Sequence, residues 1–407
     1  MKDLVQELIY DWNVAIEPPP PAPVALDDET LRDGQQSPSC ATFSIETKIK
    51  LLHLMDQLQI DIADLGLPGA GKAVADDVRI LAREIVEAKL SIAADCAART
   101  VIADIEPVAR ISQEVGLPIE VSTFIGSSPI RMFAEGWNLD LLLRRTEEAV
   151  SFAVKEGLSV MFVTEDTTRA APADVEALYR TAINCGARRI CVCDTVGHVT
   201  PAGVRALIGH VKRIVFDSGE DVAIDWHGHR DRGLALPNSL AALEAGADRL
   251  HGTALGIGER AGNTEMDLLL VNLRLLRYID RDLTALAEYC ETVAEASGIP
   301  LPINYPVAGD DAFRTGTGVH AAAIIKAEDK GDADLADCVY SGVPAHWFGR
   351  SQTIEIGPMS GESNVIYWLE KRGYDVTRER IDRVFQAAKR SRNSLSSDRI
   401  RALVEES

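Results

Sequence analysis

Residues 24–34, VALDDETLRDG, pass from a short apolar run into a cluster of acidic residues and close on an Arg–Asp–Gly turn. The same transition from apolar to polar residues recurs along the chain, in DIADLG (61–66), LSIAAD (90–95), IEVSTF (119–124), SVMFVTED (159–166), RICVCDT (189–195), VAIDWHGH (222–229) and ADRLHGT (247–253). Amphipathic stretches such as 44–58 and 174–187 lie between these runs and predict helices. Strands that alternate with helices in this way form a parallel sheet.

Eight βα units within about 250 residues are the number found in a (β/α)8 TIM barrel. An open, doubly wound sheet is the alternative arrangement of such units. The polar residues at the C-terminal end of nearly every strand favour the barrel, because barrel active sites are assembled at those ends. We therefore predict an α/β protein built on a TIM barrel, with a small, mostly helical C-terminal appendage.

The pattern divides the chain into three parts. Residues 1–23 predict an N-terminal helix and a Pro-rich tether, and residues 24–280 predict the catalytic barrel. Residues 281–407 predict a linker and helical subdomains that end in a helical pair over 362–405. This last part looks too small for a second large core, so we expect it to pack on the barrel or on a partner chain.

The composition excludes several classes of function. The 407 residues carry a net charge of −20, which argues against sequence-independent binding of nucleic acid or of an anionic membrane. No run of apolar residues is long enough to predict a membrane span. The seven cysteines include no CxxC pair, and we expect a reduced, cytoplasmic protein in which Cys191 and Cys193 fill the core.

Two histidines mark the end of the seventh predicted strand. His227 and His229 lie two residues apart, so on a strand both rings point to the same face. This spacing suits either a divalent metal or two buried, hydrogen-bonded histidines. Asp33, after the first strand, would add a carboxylate at the same barrel mouth, and Asn263 in the glycine-rich loop 252–263 would add an amide oxygen.

Two further motifs are less specific. In VTEDTTR (163–169), period two allows only one of Glu165 and Asp166 to point inward, as a candidate acid or base, and leaves the other as a solvated or helix-capping residue. GLPGAGKA (66–73) fits GxxxxGK but has Ala73 where a phosphate-binding loop needs Ser or Thr. A loop at the barrel mouth explains that stretch better.

Together, DETLRDGQQ, VTEDTTR, CDTVGHVTP, HGHRDRGLALPNSLAALEAGADRLHGT, GIGERAGN and the late SGE resemble the DRE-TIM metallolyases. The resemblance is closer to the acyl-transferring branch, which contains the 2-isopropylmalate, homocitrate and citramalate synthases. It implies one divalent cation (Mg²⁺, Mn²⁺ or Zn²⁺) held by Asp33, His227, His229 and Asn263. A 2-oxo acid would chelate that cation, and acetyl-CoA would be the co-substrate.

The resemblance also implies how the 2-oxo acid is bound. Arg32 would stabilise the developing alkoxide, while Thr195 and Gln36 would bind the acid. Homocitrate synthases hold the distal carboxylate of 2-oxoglutarate with an Arg and a Ser on the fifth strand, where this chain has Met161 and Val163. Because a carboxylate buried without a partner is costly, 2-oxoisovalerate or pyruvate is the expected acid and a 2-alkylmalate the expected product.

The base that activates acetyl-CoA is linked in this branch to the position of Glu165 and to a His and a Tyr of the C-terminal region, here His320 and Tyr340. Members of the branch exchange that region between subunits, which implies a homodimer with the C-terminal region swapped over the partner's barrel. The resemblance thus implies an acyltransferase of amino-acid biosynthesis, similar to 2-isopropylmalate synthase.

Departures from the pattern of the branch leave alternatives open. Gln35 stands where RDGEQ has a carboxylate, and Arg230 follows His229, where it would either bind an anion, such as an acidic 2-oxo acid, or face outward. A homocitrate- or citrate-type synthase, or a specialised paralogue that uses an acidic 2-oxo acid, is a further alternative. So is a lyase similar to 3-hydroxy-3-methylglutaryl-CoA lyase, although the glycine loop lacks the cysteine of the lyases. A non-catalytic binding subunit is a last alternative, and the complete set of metal ligands argues against it.

Overall fold

The computed structural model describes residues 5, 7–12 and 24–406. Its main sheet contains eight strands: β1 (Ala25–Asp28), β2 (Ile62–Asp64), β3 (Ala93–Arg99), β4 (Ile119–Gly126), β5 (Ser159–Glu165), β6 (Arg189–Asp194), β7 (Ala223–Gly228) and β8 (Arg249–Gly252). Every neighbouring pair is parallel, and β8 pairs with β1, so the sheet is a closed barrel. The predicted TIM barrel is confirmed, and the doubly wound sheet is excluded.

Helices follow the strands as the sequence pattern predicts. They are α1 (Ile45–Gln57), α2 (Lys72–Ala88), α3 (Ile102–Val115), α4 (Pro129–Glu135), α5 (Leu139–Lys155), α6 (Pro172–Asn184), α7 (Pro201–Ser218), α8 (Ala235–Ala245), α9 (Met266–Leu275) and α10 (Leu286–Ser297). Local sequence sets several of the boundaries. The Ser44 hydroxyl, for example, accepts a hydrogen bond from the Thr47 backbone N–H and caps α1.

The floor of the barrel interior is ionic rather than aliphatic. Arg249 on β8 is buried, and its Nε lies 2.5 Å from Asp225 Oδ2 on β7 while its Nη2 lies 2.6 Å from Glu120 Oε1 on β4. Barrel interiors are more often filled by Val, Ile and Leu. We call Arg249, Asp225 and Glu120 the ionic floor. It lies directly under the residues of the C-terminal mouth, because each strand presents alternate side chains to the interior.

The described chain forms two compact units. The barrel unit contains residues 24–282 and 288–300, and the C-terminal unit contains 283–287, 301–406 and the described N-terminal residues. The C-terminal unit holds the two-stranded sheet of β9 (Arg314–Thr315) and β10 (Thr353–Ile354) and five helices, α11 (Gly318–Glu328), α12 (Ala333–Cys338), α13 (Glu362–Lys371), α14 (Arg378–Arg390) and α15 (Ser397–Glu405).

Two expectations for the ends of the chain need comment. The predicted pair over 362–405 is in fact the three helices α13–α15, which bury Trp368, Leu369, Val384 and Leu403 in a core of their own. Most of the predicted N-terminal helix and tether (1–23) lies outside the described residues. No helix in the described part of the chain has the length and the apolar run that crossing a bilayer requires.

Candidate active site

A cavity of about 260 Å³ opens at the C-terminal ends of the barrel strands. Most of its wall comes from residues spaced two apart on single strands, as period-two geometry requires: Met161, Val163 and Glu165 on β5, Cys191, Cys193 and Thr195 on and after β6, and His227 and His229 on and after β7. Arg32, Asp33 and Gln36 close it from the loop after β1. The cavity is smaller than sites for drug-sized ligands, which suits a small acid.

Three of the predicted metal ligands converge in this cavity. Their ligand atoms lie within 4.8 Å of one another in the cluster of Asp33, His227 and His229. The Nε2 atoms of the two histidines are 3.2 Å apart, and His227 Nε2 lies 3.7 Å from Asp33 Oδ2. All three side chains are buried.

The glycine loop brings Asn263 to the same place. Residues 229 and 263 form an isolated antiparallel bridge, and the Asn263 amide donates to the Ile257 carbonyl at 3.2 Å. Gly258 has a φ of +151°, and a Cβ at this position would lie 2.3 Å from Asn263 Nδ2 and 3.4 Å from Asp33 Oδ1. A side chain is therefore excluded at Gly258, and the backbone folds tightly over the cluster.

The atoms left without partners fit a cation. Asp33 Oδ1, His229 Nδ1 and Asn263 Oδ1 are buried and have no hydrogen-bond partner among the described residues. Burial and the neighbouring His227 lower the pKa of His229 to about 4, so its ring is neutral and able to ligate. Two imidazoles, a carboxylate and an amide oxygen are donors that suit Mn²⁺, Zn²⁺ or Mg²⁺.

Arg32 is held at the cavity by three carboxylates. Its Nε lies 2.6 Å from Asp64 Oδ2, its Nη2 lies 2.9 Å from Glu29 Oε1 and its Nη1 lies 3.1 Å from Asp33 Oδ2. Burial raises the pKa of Asp64 to about 7, although the Arg32 charge opposes the rise. The guanidinium is therefore fixed in one orientation beside the candidate metal site.

Glu29 and His251 also belong to the site, although the sequence pattern predicted no role for either residue. Burial alone would raise the pKa of Glu29, but the charges of His227 and Arg32 hold it well below its usual range. Burial would likewise lower the pKa of His251, yet the facing carboxylates raise it well above the usual value. The sequence places both residues at the polar ends of predicted strands, which indicates that they lie near the barrel mouth. It does not indicate which residues they contact.

The wall that β5 and β6 form beside the histidines of β7 is apolar. Met161, Cys191 and Cys193 form a buried cluster with Val163 packed against it. The prediction that the two cysteines are buried is confirmed, and their Sγ atoms lie 3.8 Å apart. The guanidinium beneath this wall is shielded from the cavity, because Arg249 Nη2 points at the Met161 Sδ at 3.1 Å.

Glu165, rather than Asp166, points into the cavity. Burial raises the pKa of Glu165, and the charge of Arg131 opposes the rise. Asp166 instead pairs with Arg169 through two contacts of 2.7 Å, and its side chain does not cap the helical turn that follows. The Thr195 hydroxyl accepts a hydrogen bond from the Asp166 backbone N–H at 2.8 Å, so its own O–H remains available to a ligand.

Two polar residues near the mouth take structural roles. Gln35 donates to the Leu31 carbonyl at 2.6 Å and thereby braces the turn after β1. Arg230 pairs with Glu265 at 2.7 Å and donates to the Ala261 carbonyl at 2.7 Å, so its guanidinium is engaged by the glycine loop.

Arg260, which was not predicted, does line the cavity. Its side chain lies 2.8 Å from Asp231 Oδ1 and donates to the Thr195 carbonyl at 2.6 Å. It is the cavity's second guanidinium, beside Arg32, and both are already paired with carboxylates.

His320 and Tyr340 are brought together in the C-terminal unit. Their rings stack with centroids 4.0 Å apart and an interplanar angle of 24°. Both side chains are exposed within the chain, so their polar atoms are accessible to a ligand or to another subunit.

A model of the HMGL-like family matches residues 23–293, which is more than half of the chain. The chain therefore belongs to the HMGL-like family, as the resemblance to the DRE-TIM metallolyases implied. Its site thus combines the TIM barrel of that family with a candidate metal cluster at the strand ends.

Relatives in the family carry synthase names. The chain is 34% identical to homocitrate synthase AksA of Methanopyrus kandleri over 91% of this chain and 88% of that protein. It is 32% identical to a probable 2-isopropylmalate synthase (91% and 70% covered) and 30% identical to a putative (R)-citramalate synthase (91% and 69% covered), both of the same organism. The fold also matches an HMG-CoA lyase of Bacillus subtilis, with a TM-score of 0.58, 20% identity and coverage of 70% and 97%.

Proposed function

We propose that the protein is an acyltransferase that condenses acetyl-CoA with a 2-oxo acid in a metal-dependent Claisen reaction and then hydrolyses the thioester. The favoured acids are 2-oxoisovalerate and pyruvate, which would give a 2-alkylmalate. The names of the relatives support a synthase, since all three denote enzymes that form hydroxy acids of this kind.

The apolar wall carries the choice of substrate. The side chain of a 2-oxo acid bound at the metal cluster would lie against Met161, Val163 and the two cysteines. A distal carboxylate would meet no free cation there, and a buried charge without a partner is costly. A methyl or isopropyl group loses nothing by the same contact and gains from leaving water.

Asp33, His227, His229 and Asn263 would hold the cation. A bound divalent cation would supply Lewis-acid polarisation of the keto group. Arg32 would then face the oxygen on which negative charge develops, and its three carboxylate partners keep the guanidinium from turning away. The Thr195 hydroxyl and Gln36 would position the carboxylate of the acid.

Removal of a proton from the acetyl group requires a base near the same cavity. Glu165 lines it and has a raised pKa, as a proton-transfer residue needs. We assign His320 and Tyr340 to the same step, delivered by the C-terminal region of a second subunit. The enzyme would then be a homodimer whose sites are shared between the chains.

A homocitrate-type reaction with an acidic 2-oxo acid is the second candidate. The 34% identity to a homocitrate synthase favours it, and Arg260 is the cavity residue that could pair with a distal carboxylate. The pairing of Arg260 with Asp231 weighs against this role, since an anion would have to displace that carboxylate.

Thiol release from acetyl-CoA separates these reactions. The protein would be assayed with Mg²⁺ or Mn²⁺ and, in separate wells, with pyruvate, 2-oxoisovalerate, 2-oxoglutarate and oxaloacetate. We expect release that requires both the cation and an apolar acid. Release with only the dicarboxylic acids would replace the favoured substrate with the second candidate, and no release from metal-loaded protein with any acid would overturn the synthase.

A further inference from the structure

We propose that Glu29 and His251 act as a positioning pair that fixes the metal-site imidazole of His227 and the guanidinium of Arg32 together. The inference deepens the proposed function and rests on its metal site. It assigns a purpose to the ionic floor of the barrel, which the condensation itself does not use.

Glu29 is the point at which the two groups meet. Its Oε2 lies 2.8 Å from His227 Nδ1, and its Oε1 lies 2.9 Å from Arg32 Nη2. The side chain is 6% exposed, so water does not compete for these contacts. One carboxylate therefore sets the angle of a metal ligand and of the charge-stabilising residue at once.

His251 holds Glu29 from below. Its Nδ1 lies 3.0 Å from Glu29 Oε1, and its Nε2 lies 2.9 Å from Asp225 Oδ2. Carboxylates face both ring nitrogens, so both nitrogens donate and the ring cannot flip without losing a bond. Asp225 is fixed in turn by Arg249 and by Arg189 at 2.6 Å, which anchors the pair to the rigid strands β6–β8.

The consequence for His227 is a defined tautomer once a cation is bound. Because Nδ1 faces the Glu29 carboxylate, Nδ1 keeps its hydrogen when a cation displaces the proton of Nε2, and the lone pair of Nε2 would then point toward Asp33 and His229. A carboxylate on the far nitrogen orients a ligating imidazole and strengthens it as a donor. Glu29 is thus a supporting residue: its Oε1 is shared by Arg32 and His251, and its Oε2 lies within ion-pair distance of the His227 ring.

A purely structural role would not need these charges. Replacing a buried ionic network by well-packed aliphatic residues is often neutral or stabilising, and a barrel interior is ordinarily aliphatic. The network instead runs without a gap from the floor at Arg249 to the cavity at His227. The last contacts of the network are those of Glu29 with His227 and Arg32, the metal ligand and the charge-stabilising residue of the proposed reaction.

The direct test is cation affinity in the absence of substrates. Full-length wild type, Glu29→Gln and His251→Asn would be titrated with Mn²⁺ by calorimetry, and with Co²⁺ by visible absorption. Asp104→Asn serves as a matched control, because Asp104 is a buried carboxylate in a two-contact ion pair with Arg99 and does not line the cavity. Thermal denaturation would report the stability of each variant.

We expect Glu29→Gln to weaken the Mn²⁺ Kd by about 10- to 100-fold, with an altered Co²⁺ spectrum, because losing such a partner has costs of this size. His251→Asn should give a smaller loss in the same direction, and it stands in for the first variant should Glu29→Gln not fold. The control should bind as the wild type does, even if its melting temperature falls.

An unchanged Kd in the folded variants, with only a lowered melting temperature, would overturn the positioning role. The synthase would be unaffected by that result, since thiol release is measured separately. Conversely, a weakened Kd in a protein that releases no thiol with any acid would keep the pair and remove the proposed reaction. Failure of the wild type to bind any divalent cation would overturn the pair together with the metal site.

Discussion

Replacing Arg32 by lysine keeps the positive charge at the cavity and removes its geometry. The guanidinium reaches Asp64, Glu29 and Asp33 through three different nitrogens. A single ammonium on a flexible chain can retain one of these contacts in the same place. Arg32→Lys therefore isolates the contribution of orientation from the contribution of charge.

The structure sets the size of the effect. Hydrogen bonds to charged groups contribute about 1.5–3 kcal/mol each, so two lost contacts amount to about 3–6 kcal/mol of fixed orientation. Since about 1.4 kcal/mol corresponds to a factor of ten in rate, we expect kcat/KM to fall by about 10²- to 10⁴-fold. The Mn²⁺ Kd should stay within about fivefold, because the charge beside the cluster is conserved.

Thiol release under kcat/KM conditions, together with Mn²⁺ titration of the same preparation, measures both quantities. A kcat/KM within fivefold of wild type would refute the role of Arg32 in stabilising the developing charge. A fall in kcat/KM that excess Mn²⁺ reverses would assign Arg32 to metal retention instead.

Four further outcomes are expected. Chelation with EDTA should abolish thiol release and Mn²⁺ should restore it, whereas Asp33→Asn should stay inactive in excess Mn²⁺ while keeping its far-UV spectrum. Burial raises the pKa of Asp28 from 3.8 to about 6, so the folded state loses stability as the pH rises from 4 to 6. Asp28→Asn should then be more stable than wild type by up to about 3 kcal/mol at pH 8 in urea denaturation and show no gain at pH 4. Met161→Arg combined with Val163→Ser should shift kcat/KM toward 2-oxoglutarate by at least about 10²-fold relative to 2-oxoisovalerate, and an unchanged ratio would dissociate this wall from specificity. Mixing inactive Asp33→Asn and His320→Ala proteins after subunit exchange should restore about a quarter of the activity if sites are shared between subunits, and none if each chain works alone.

The strand positions could be predicted because apolar runs and polar ends repeat with the βα period. All eight predicted strands are present, and each overlaps its predicted range. The closing helices were miscounted for a local reason. Thr377 and Ser396 cap new helices within the amphipathic stretch 362–405, through hydrogen bonds to the backbone N–H of Arg380 and Arg399.

The predicted ligands met in one cavity because each lies at the C-terminal end of a strand or in the loop that follows it, and the barrel topology brings these ends and loops together. The ionic floor could not be predicted in this way. Arg249, Asp225 and Glu120 come from three strands, and their pairing depends on how far each strand is shifted against its neighbours. A charged residue within an apolar run predicts that a residue of opposite charge lies next to it in the structure, but it does not predict which residue that is.

The acidic run Asp27–Asp28–Glu29 shows what the register adds. Period two places the first and third side chains on one face and the second on the other, but the sequence does not say which face is the interior. In the structure Asp27 lies opposite His251 on β8, which turns Asp27 and Glu29 inward and leaves Asp28 bonded to Tyr289 outside the barrel. A slip of one residue would put Asp28 beneath the metal cluster and turn Leu26 into the ionic floor. The pairing of β1 with β8 therefore does two things. It keeps apolar residues such as Leu26 on the outer face of the barrel, against the helices, and it places Glu29 beside the candidate metal site.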